Sequence, residues 1–303
     1  MKIVTSGSRY IDIDAYASCI AYANLLNLKG IEAKAVSTAK INESITPNLL
    51  KLNSVLEEYE KDENDEFIII DVSNKNYFDN IVVEDKIIEV IDHHVGCEEY
   101  WKNKLGERAK IEFIGAVATL IVELYEKDRM IEKMSKDIAY LLMAAILDNT
   151  LNFKAKVTTD RDKSAYKKLE MIVDNKENYA EKYFLECQLN IQKDLKTAIE
   201  NDTKIEEINI LLPKIFAQLT VWDKKNILDN KSKIYNTLEN IGTDWMMNLI
   251  CLKDGKSYII ASNSEVQRKL ENLFNSTFQN DILMLDSVWL RKEIIKKAIN
   301  FRQ

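Results

Sequence analysis

The sequence predicts an α/β fold, with an N-terminal parallel-sheet domain flanked by helices and a smaller C-terminal α/β domain with a mixed sheet. In the first part of the chain, short β-branched runs alternate with segments of helical apolar spacing, which is typical of βαβ units. Two of these runs, EFIIID and KIIEVID, are largely apolar and resemble central strands buried on both faces. Beyond about residue 200 a strand pattern returns. We therefore place the domain boundary near Glu200, giving domains 1–200 and 201–303.

The elements of the first domain follow in chain order. The predicted strands are Lys2–Thr5, Glu32–Ser37, Glu66–Asp71 and Lys86–Asp92. The predicted helices are Asp14–Lys29, Pro47–Tyr59, Ile114–Lys127, Met134–Leu147, Thr159–Val173 and Asn178–Asn201. Pro47 suits a helix start, because the N–H that proline lacks would be unpaired there anyway.

The second domain has its own alternation of strands and helices. The predicted strands are Glu207–Leu212, Lys214–Val221, Met246–Leu252 and Ser257–Ala261. The predicted helices are Lys225–Asn240 and Ser264–Leu273.

Composition and charge limit the functional classes. A formal charge of -7 argues against binding of long nucleic acid, which normally needs a basic surface. No apolar run reaches the roughly 18 to 20 residues of a membrane span, and the N-terminus does not resemble a signal peptide. The four cysteines form no CxxC pair, so we expect reduced thiols and a cytoplasmic protein. With seven glycines in the chain, neither GxGxxG nor GxxxxGK[ST] occurs, so a phosphate ligand would have to be held in another way.

The residues that indicate chemistry are carboxylates and imidazoles at strand ends. The two histidines of the chain are adjacent, in Asp92-His93-His94 at the end of an apolar strand, which is the pattern of a site rather than of scattered structural histidines. Four aspartates join them: Asp12 and Asp14 follow the first strand, Asp71 ends EFIIID, and Asp148 closes the apolar helix LLMAAILD. Ligands of open parallel sheets bind outside the carboxyl ends of the strands, where Asp12, Asp14, Asp71 and His93 would converge. Such a donor set suits Mn²⁺, Co²⁺ or Mg²⁺. Taken singly, each aspartate has a structural alternative, and an Asp-x-Asp before a helix is more often a cap than a ligand.

These segments resemble the ordered motifs of the DHH phosphoesterase superfamily. The matching stretches are GSRYIDIDAYASCIAYA, EFIIID, VIDHH and AAILDNTLNFK. IEFIGAVATL, Asp202-Thr203-Lys204, Phe216-Ala217-Gln218 and Phe274–Lys292 resemble further parts of the branch that contains family II inorganic pyrophosphatases and the prune-like exopolyphosphatases. The resemblance covers nearly the whole chain.

The resemblance implies a two-metal, manganese-dependent phosphohydrolase acting on pyrophosphate or short polyphosphate in an interdomain cleft. Asp71 would bridge two metal ions and take part in catalysis, with Asp12 on one ion and Asp14, His93 and Asp148 on the other. His94 would stand beside the substrate as hydrogen-bond donor or general acid. Lys204, Arg291 and Lys292 would bind the substrate's non-bridging oxygens. A small phosphorylated anion is thus the expected partner, no membrane is expected, and a homodimer is among the assembly states considered.

The chain departs from the pyrophosphatase pattern at several positions. Ser8 stands where that pattern has a histidine, and serine is a poor ligand for a divalent ion unless deprotonated. Ile11 replaces a proline, Leu290 replaces a serine, and Asn149 follows Asp148. Two other functions therefore remain open: a phosphodiesterase acting on cyclic or very short nucleotides, and a non-catalytic sensor of a nucleotide or polyphosphate. The absence of any histidine after His94 argues against the phosphodiesterase hypothesis, because the diesterase branch carries a histidine motif in its C-terminal domain.

Overall fold

The computed structural model describes residues 1–53, 55–174, 178–205, 207 and 211–301. The chain forms two compact units. Unit 1 comprises Met1–Phe153 and Val157–Ala180, and unit 2 comprises Lys154–Lys156 and the chain from Glu181 onward. The predicted boundary near Glu200 lies inside a helix of unit 2, and the assignment of functions to 1–200 and 201–303 stays a prediction.

Unit 1 contains a parallel sheet and helices on it. Its strands are β1 (Lys2–Thr5), β2 (Tyr10–Ile11), β3 (Ala33–Ala35), β4 (Lys40–Ile41), β5 (Glu66–Ile70), β6 (Ile87–Asp92) and β7 (Ala109–Ile111). Its helices are α1 (Ile13–Leu28), α2 (Glu98–Leu105), α3 (Val117–Lys127), α4 (Lys136–Thr150) and α5 (Asp160–Val173).

The five-stranded sheet of unit 1 has the order β3-β1-β5-β6-β7, and every pair in it is parallel. The side chains of Ile68, Ile69 and Ile70 on the central strand β5 are at most 1% exposed, as expected for a strand covered on both faces. Since all strands run the same way, their carboxyl ends meet at one edge of the sheet. The polar residues that follow β5 and β6 therefore lie side by side.

The predicted helix Pro47–Tyr59 is wrong. Among the described residues of this segment, the regular structure is a single 3₁₀ turn at Leu49–Lys51. The less exposed side chains recur at helical spacing, which is why the sequence predicted a helix, but among the described residues of the segment only Leu49 is buried, so little apolar burial stabilises a helix here. The amide of Glu57 instead donates to the carbonyl of Ala35, which holds the segment beside β3.

Unit 2 contains a mixed sheet. Its strands are β8 (Thr203–Ile205), β9 (Ile215–Val221), β10 (Trp245–Cys251), β11 (Lys256–Ala261) and β12 (Leu283–Leu285). Its helices are α6 (Tyr179–Lys193, which begins in unit 1), α7 (Leu195–Asn201), α8 (Lys225–Leu228), α9 (Lys231–Glu239), α10 (Ser264–Phe274) and α11 (Arg291–Ile299). In the order β12-β11-β10-β9-β8, β9 and β10 are parallel and the other pairs are antiparallel. The predicted α/β class, with a parallel and a mixed sheet, is confirmed.

Several elements of unit 2 differ from the sequence prediction. The helix predicted for Asn178–Asn201 is two helices, because the side chain of Asp194 caps a new helix by accepting from the amide of Thr197. The helix predicted for Lys225–Asn240 likewise divides into α8 and α9. Most of the strand predicted for Glu207–Leu212 lies outside the described residues.

Each face of the unit 2 sheet packs on its own apolar cluster. Alternate residues of β9 and β10, such as Leu219 and Met247, pack with α7 and α9 on one face. Phe216, Met246 and Ile259 pack with α10 and α11 on the other. This period of two follows from the alternation of side chains along a strand. In the described part of the chain, no helix is both long enough and apolar enough to cross a membrane.

Candidate metal centre

The centre begins where β5 and β6 end side by side. Ile70 of β5 is paired with Ile91 of β6, and the amide of the next residue, Asp71, donates to the carbonyl of Ile91 at 2.9 Å. Asp71 has a φ of 60°, in the left-handed region that aspartate adopts more readily than most residues. Residues held in such conformations cluster at functional sites. This backbone turn places the Asp71 carboxylate beside the residues that follow β6.

The Asp71 carboxylate and the two imidazoles form one group. Each of Asp71, His93 and His94 offers a ligand atom, and these atoms lie within 4.8 Å of one another. Nε2 of His93 is 3.3 Å from Oδ1 of Asp71, and Nδ1 of His94 is 3.8 Å from the same oxygen. The two rings meet edge to face, with centroids 4.6 Å apart. Three of the predicted site residues are thus brought together.

The orientation of the His93 ring determines which nitrogen faces the carboxylate. Nδ1 lies 3.0 Å from the carbonyl oxygen of Ile114, which can only accept, so the proton of a neutral imidazole belongs on Nδ1. Nε2 then carries a lone pair and faces a carboxylate oxygen, and a cation between these two acceptors removes the conflict. A ligating histidine typically donates its other N–H to a carbonyl in this way. The side chains of His93 and Asp71 are only 1% and 7% exposed, so the two acceptors face each other away from solvent. This arrangement fits a divalent cation.

His94 is oriented by Asp92, a residue that the sequence prediction did not assign to the site. Oδ1 of Asp92 accepts from Nδ1 of His94 at 2.9 Å and from the amides of His93 and His94. Asp92 is fully buried, whereas the His94 side chain is 50% exposed. Because Asp92 holds Nδ1, Nε2 is left as the second functional atom of the ring. The DHH tripeptide itself was the signal for this role, since it places a carboxylate next to the histidines.

The carbonyl that orients His93 stands at the start of α3, and two buried carboxylates hold that start. The amides of Val117 and Ala118 both donate to Asp14 at 2.8 Å, and those of Gly115 and Ala116 donate to Asp162 at 3.2 and 3.3 Å. The amides that the start of a helix leaves without intrahelical partners are thus satisfied from outside it. Negative charge is also favourable at a helix N-terminus.

Gly115 and Asp162 are fitted to each other. A Cβ at Gly115 would lie 2.7 Å from Oδ2 of Asp162 and 2.7 Å from Cγ2 of Thr150, so any side chain there would force a shift. Asp162 was missed by the sequence analysis. Its capping-box spacing after Thr159 was visible, but its contact with α3 joins residues 46 and 47 positions apart.

The other predicted ligands are not members of this group. Asp12 caps α1, with its side chain accepting from the amide of Ala15 at 3.0 Å. Asp14 caps α3, and Asp148 lies half-buried in the last turns of α4. In the part of the chain that the structure describes, none of the three joins the group whose ligand atoms lie within 4.8 Å of one another. Their role as metal ligands stays a prediction.

The buried thiol of Cys19 on α1 is surrounded by carboxylates. Its pKa is raised well above the ordinary value, first by burial and then by the carboxylates of Asp71, Asp79, Asp12 and Asp14. The raised pKa therefore shows that several carboxylates lie around this part of α1.

Ser8, which stands in place of the histidine of the resembling family, is turned to the backbone. Its amide donates to the carbonyl of Tyr77 at 2.9 Å, and its hydroxyl lies 3.4 Å from the same oxygen. The Ser8 hydroxyl therefore donates to a backbone carbonyl.

The predicted substrate-binding cations all lie in unit 2. Lys204 is in β8 and Lys292 in the first turn of α11, and both are half-buried. Arg291 is the first residue of α11, and its side chain is only 8% exposed. Its guanidinium forms an ion pair with Asp202, and Nη2 also donates to the Asp202 carbonyl at 3.0 Å. Arg291 is thus fixed by its own unit.

Known proteins are similar to this chain in sequence and in fold. The manganese-dependent inorganic pyrophosphatase of Bacillus subtilis is 28% identical, with 96% of each chain covered. That of Methanocaldococcus jannaschii is 29% identical, covering 95% of this chain and 94% of its own. The crystal structure of a Methanococcus jannaschii family II inorganic pyrophosphatase superposes with a TM-score of 0.72 over 99% of this chain and 100% of the other, and at 24% identity it supports the fold. The model of the DHH family, N-terminal domain, matches residues 2–146. The resemblance inferred from the motifs is therefore confirmed, since residues 2–146 match the DHH family domain and the relatives are similar over nearly the whole chain.

Proposed function

We propose that this chain is a manganese-dependent phosphohydrolase that cleaves phosphoanhydride bonds, with inorganic pyrophosphate as the first substrate to test and short polyphosphate as the second. The observation that carries the proposal is the group of Asp71, His93 and His94 at the ends of two adjacent parallel strands. The function of the relatives supports it, because two manganese-dependent inorganic pyrophosphatases are similar over nearly the whole chain.

Asp71 and His93 would hold the metal, and Asp12, Asp14 and Asp148 are the further ligands of a two-metal site in this proposal. Carboxylate with imidazole suits Mn²⁺, and Co²⁺ and Mg²⁺ are the alternatives to test. When bound, such an ion polarises a phosphoryl oxygen and lowers the pKa of a coordinated water.

His94 would act on the substrate. Asp92 fixes its Nδ1, which orients the ring and leaves Nε2 on a half-exposed side chain as the donor to a phosphate oxygen. His93 is too deeply buried for that role. In this proposal His93 binds the metal and His94 binds the substrate.

Lys204, Arg291 and Lys292 would bind the non-bridging oxygens of the substrate. Lysine supplies a compact charge and arginine a planar fork that matches phosphate. Nη1 of Arg291 is buried, and no described residue accepts a hydrogen bond from it. That these cations and the metal group act on one substrate is part of the proposal, and the variants below test it.

Phosphate release tests the proposal directly. The panel comprises pyrophosphate, tripolyphosphate, longer polyphosphate and short dinucleotides, each with Mn²⁺, Co²⁺ and Mg²⁺. We expect Mn²⁺ to support release from pyrophosphate or tripolyphosphate, and Asp71→Ala to reduce it to background and to weaken Mn²⁺ binding measured by electron paramagnetic resonance. Asp62→Ala, which removes a surface aspartate in a turn, is the control and should change neither.

The panel also separates the alternatives. Ser8 favours the sensor hypothesis, because its hydroxyl is turned to the Tyr77 carbonyl where the family pattern has an imidazole. Binding of a phosphate analogue without turnover of any anhydride or diester in saturating Mn²⁺ would support a sensor and refute the enzyme. Cleavage of dinucleotides alone would indicate a phosphodiesterase.

A further inference from the structure

A polar pair interrupts the apolar face of the unit 2 sheet that packs on α10 and α11. Gln218 of β9 and Asn248 of β10 are direct cross-strand partners. Their neighbours on this face, Phe216, Met246 and Ile259, belong to the apolar cluster. Asn248 is fully buried, where an apolar side chain is the usual occupant.

The pair holds the chain that leads into α11. Oε1 of Gln218 accepts from the backbone amide of Arg291 at 2.7 Å and from Nδ2 of Asn248 at 3.2 Å. Nδ2 of Asn248 also donates to the carbonyl of Trp289 at 2.7 Å. On the next strand, Oγ of Ser257 accepts from the amide of Trp289 at 2.9 Å. Side chains from three adjacent strands therefore fix the backbone of residues 289 to 291.

Stability alone does not account for this pair. Oδ1 of Asn248 is buried, and among the described residues it has no hydrogen-bond partner, which is unfavourable. Replacing both residues by apolar groups of similar shape removes the bond between them at little cost, but it leaves the Arg291 amide and the Trp289 carbonyl without their partners. Apart from the bond between the two side chains, the hydrogen bonds of the pair run to the segment of residues 289 to 291, so its distinctive contribution is the position of that segment.

That segment begins the helix that carries Arg291 and Lys292. The Arg291 backbone is held by Gln218, its guanidinium pairs with Asp202, and the guanidinium lies 5.5 Å from the ring centre of Phe216. Both ends of this residue are thus anchored within unit 2. A shift of the backbone at 289 to 291 would move Arg291 and Lys292 together.

We propose that Gln218 and Asn248 are positioning residues, which set the location of Arg291 and Lys292 for binding the phosphate oxygens of the substrate. This inference rests on the proposed function. Preorganised donors bind an anion better than mobile ones because less ordering is needed on binding. Loss of the pair should therefore weaken substrate binding while the metal group in unit 1 is unaffected.

The test is the double variant Gln218→Met with Asn248→Leu, which keeps side-chain size and removes the hydrogen bonds. The probe is imidodiphosphate, a pyrophosphate analogue that resists hydrolysis, titrated by calorimetry in saturating Mn²⁺. We expect its Kd to rise at least tenfold with the Mn²⁺ affinity unchanged. The urea midpoint should fall, because the Arg291 amide and the Trp289 carbonyl lose their partners, but the variant should be fully folded without urea. In turnover of pyrophosphate, KM should rise more than kcat falls. Thr220→Val, on the same face of β9, is the matched control and should bind the analogue as the unaltered chain does.

Each outcome decides between the claims. An unchanged analogue Kd in the double variant overturns the positioning role, as does a loss of affinity that comes with weaker Mn²⁺ binding or with incomplete folding in the absence of urea. If the unaltered chain binds the analogue but cleaves no anhydride, the proposed function fails while a tenfold loss in the variant still supports the positioning role. If the unaltered chain does not bind the analogue at all, both fail.

Discussion

Asp162 offers the sharpest test of how the fold supports the metal centre. Its fully buried carboxylate accepts from the amides of Gly115 and Ala116 and from the hydroxyl of Thr119, at 2.7 to 3.3 Å. It also accepts from the amide and hydroxyl of Thr159, at 2.7 and 2.8 Å. These contacts join the start of α5 to the start of α3. Asp162→Ala would remove them all.

The magnitude follows from the donors left behind. A buried donor that loses its partner costs about 1–3 kcal/mol, and Gly115, Ala116 and Thr119 are all buried. The simple sum of about 3–9 kcal/mol is an upper bound, because the buried charge is removed as well and the helix start can relax. We therefore expect Asp162→Ala to lower the free energy of unfolding by about 3–5 kcal/mol. Asp162→Asn keeps the shape and one carbonyl oxygen, so we expect about 1–3 kcal/mol.

Urea unfolding followed by circular dichroism measures the loss, provided that the transition of unit 1 is resolved from that of unit 2. Asp160→Ala is the matched control, since this side chain lies in the same helix turn but is fully exposed, and we expect little change. Asp162→Asn should also weaken Mn²⁺ binding, because the Ile114 carbonyl that orients His93 directly precedes Gly115. A loss below about 1 kcal/mol for Asp162→Ala would refute the reasoning.

Three further predictions concern residues around the centre. Ser8→His should lower the Mn²⁺ concentration needed for half-maximal phosphate release, and an unchanged metal dependence would show that the missing imidazole is irrelevant. Asp92→Asn should leave the chain folded but reduce kcat about 10- to 100-fold and shift its pH profile, because the carboxylate that orients His94 is lost; an unaltered profile would exclude this role. Burial raises the pKa of Glu89 above its ordinary 4.5, although Tyr22 donates a hydrogen bond to it at 2.8 Å. Ionisation of Glu89 thus disfavours the folded state, so Glu89→Gln should raise the urea midpoint at pH 7, and the gain should vanish as the pH falls below about 4.5. A variant that is equally or less stable at pH 7 would contradict this assignment.

The histidine pair shows what local sequence could predict. An apolar strand ending in Asp-His-His places its polar residues at the carboxyl edge of a parallel sheet, and Asp71 follows a second such strand. The pairing of β5 with β6 then brings Asp71 to His93 within 3.3 Å. The prediction succeeded here because sheet topology turns two strand ends into neighbours without requiring any further contact.

The aspartates before and within the helices show the limit of the same reasoning. Asp-x-Asp at a helix start fits a cap or a ligand equally well, and the structure uses Asp12 to cap its own helix and Asp14 to cap α3, more than a hundred residues away. No local pattern reveals which amide a buried carboxylate will meet. The helix predicted at Pro47–Tyr59 was wrong for a similar reason, since the bond from Glu57 to the edge of β3 is a tertiary contact.

The sequence by itself determined the α/β class, the parallel and mixed sheets, and the strand ends at which Asp71, His93 and His94 lie, because apolar periodicity and strand polarity are properties of short segments. Only the tertiary structure decided how those side chains are oriented. Ile114, Asp92, Asp162 and Gln218 act through contacts between residues distant in the chain or through the exact turn of a backbone. Such contacts depend on how whole elements pack together, and that packing cannot be predicted from any single segment.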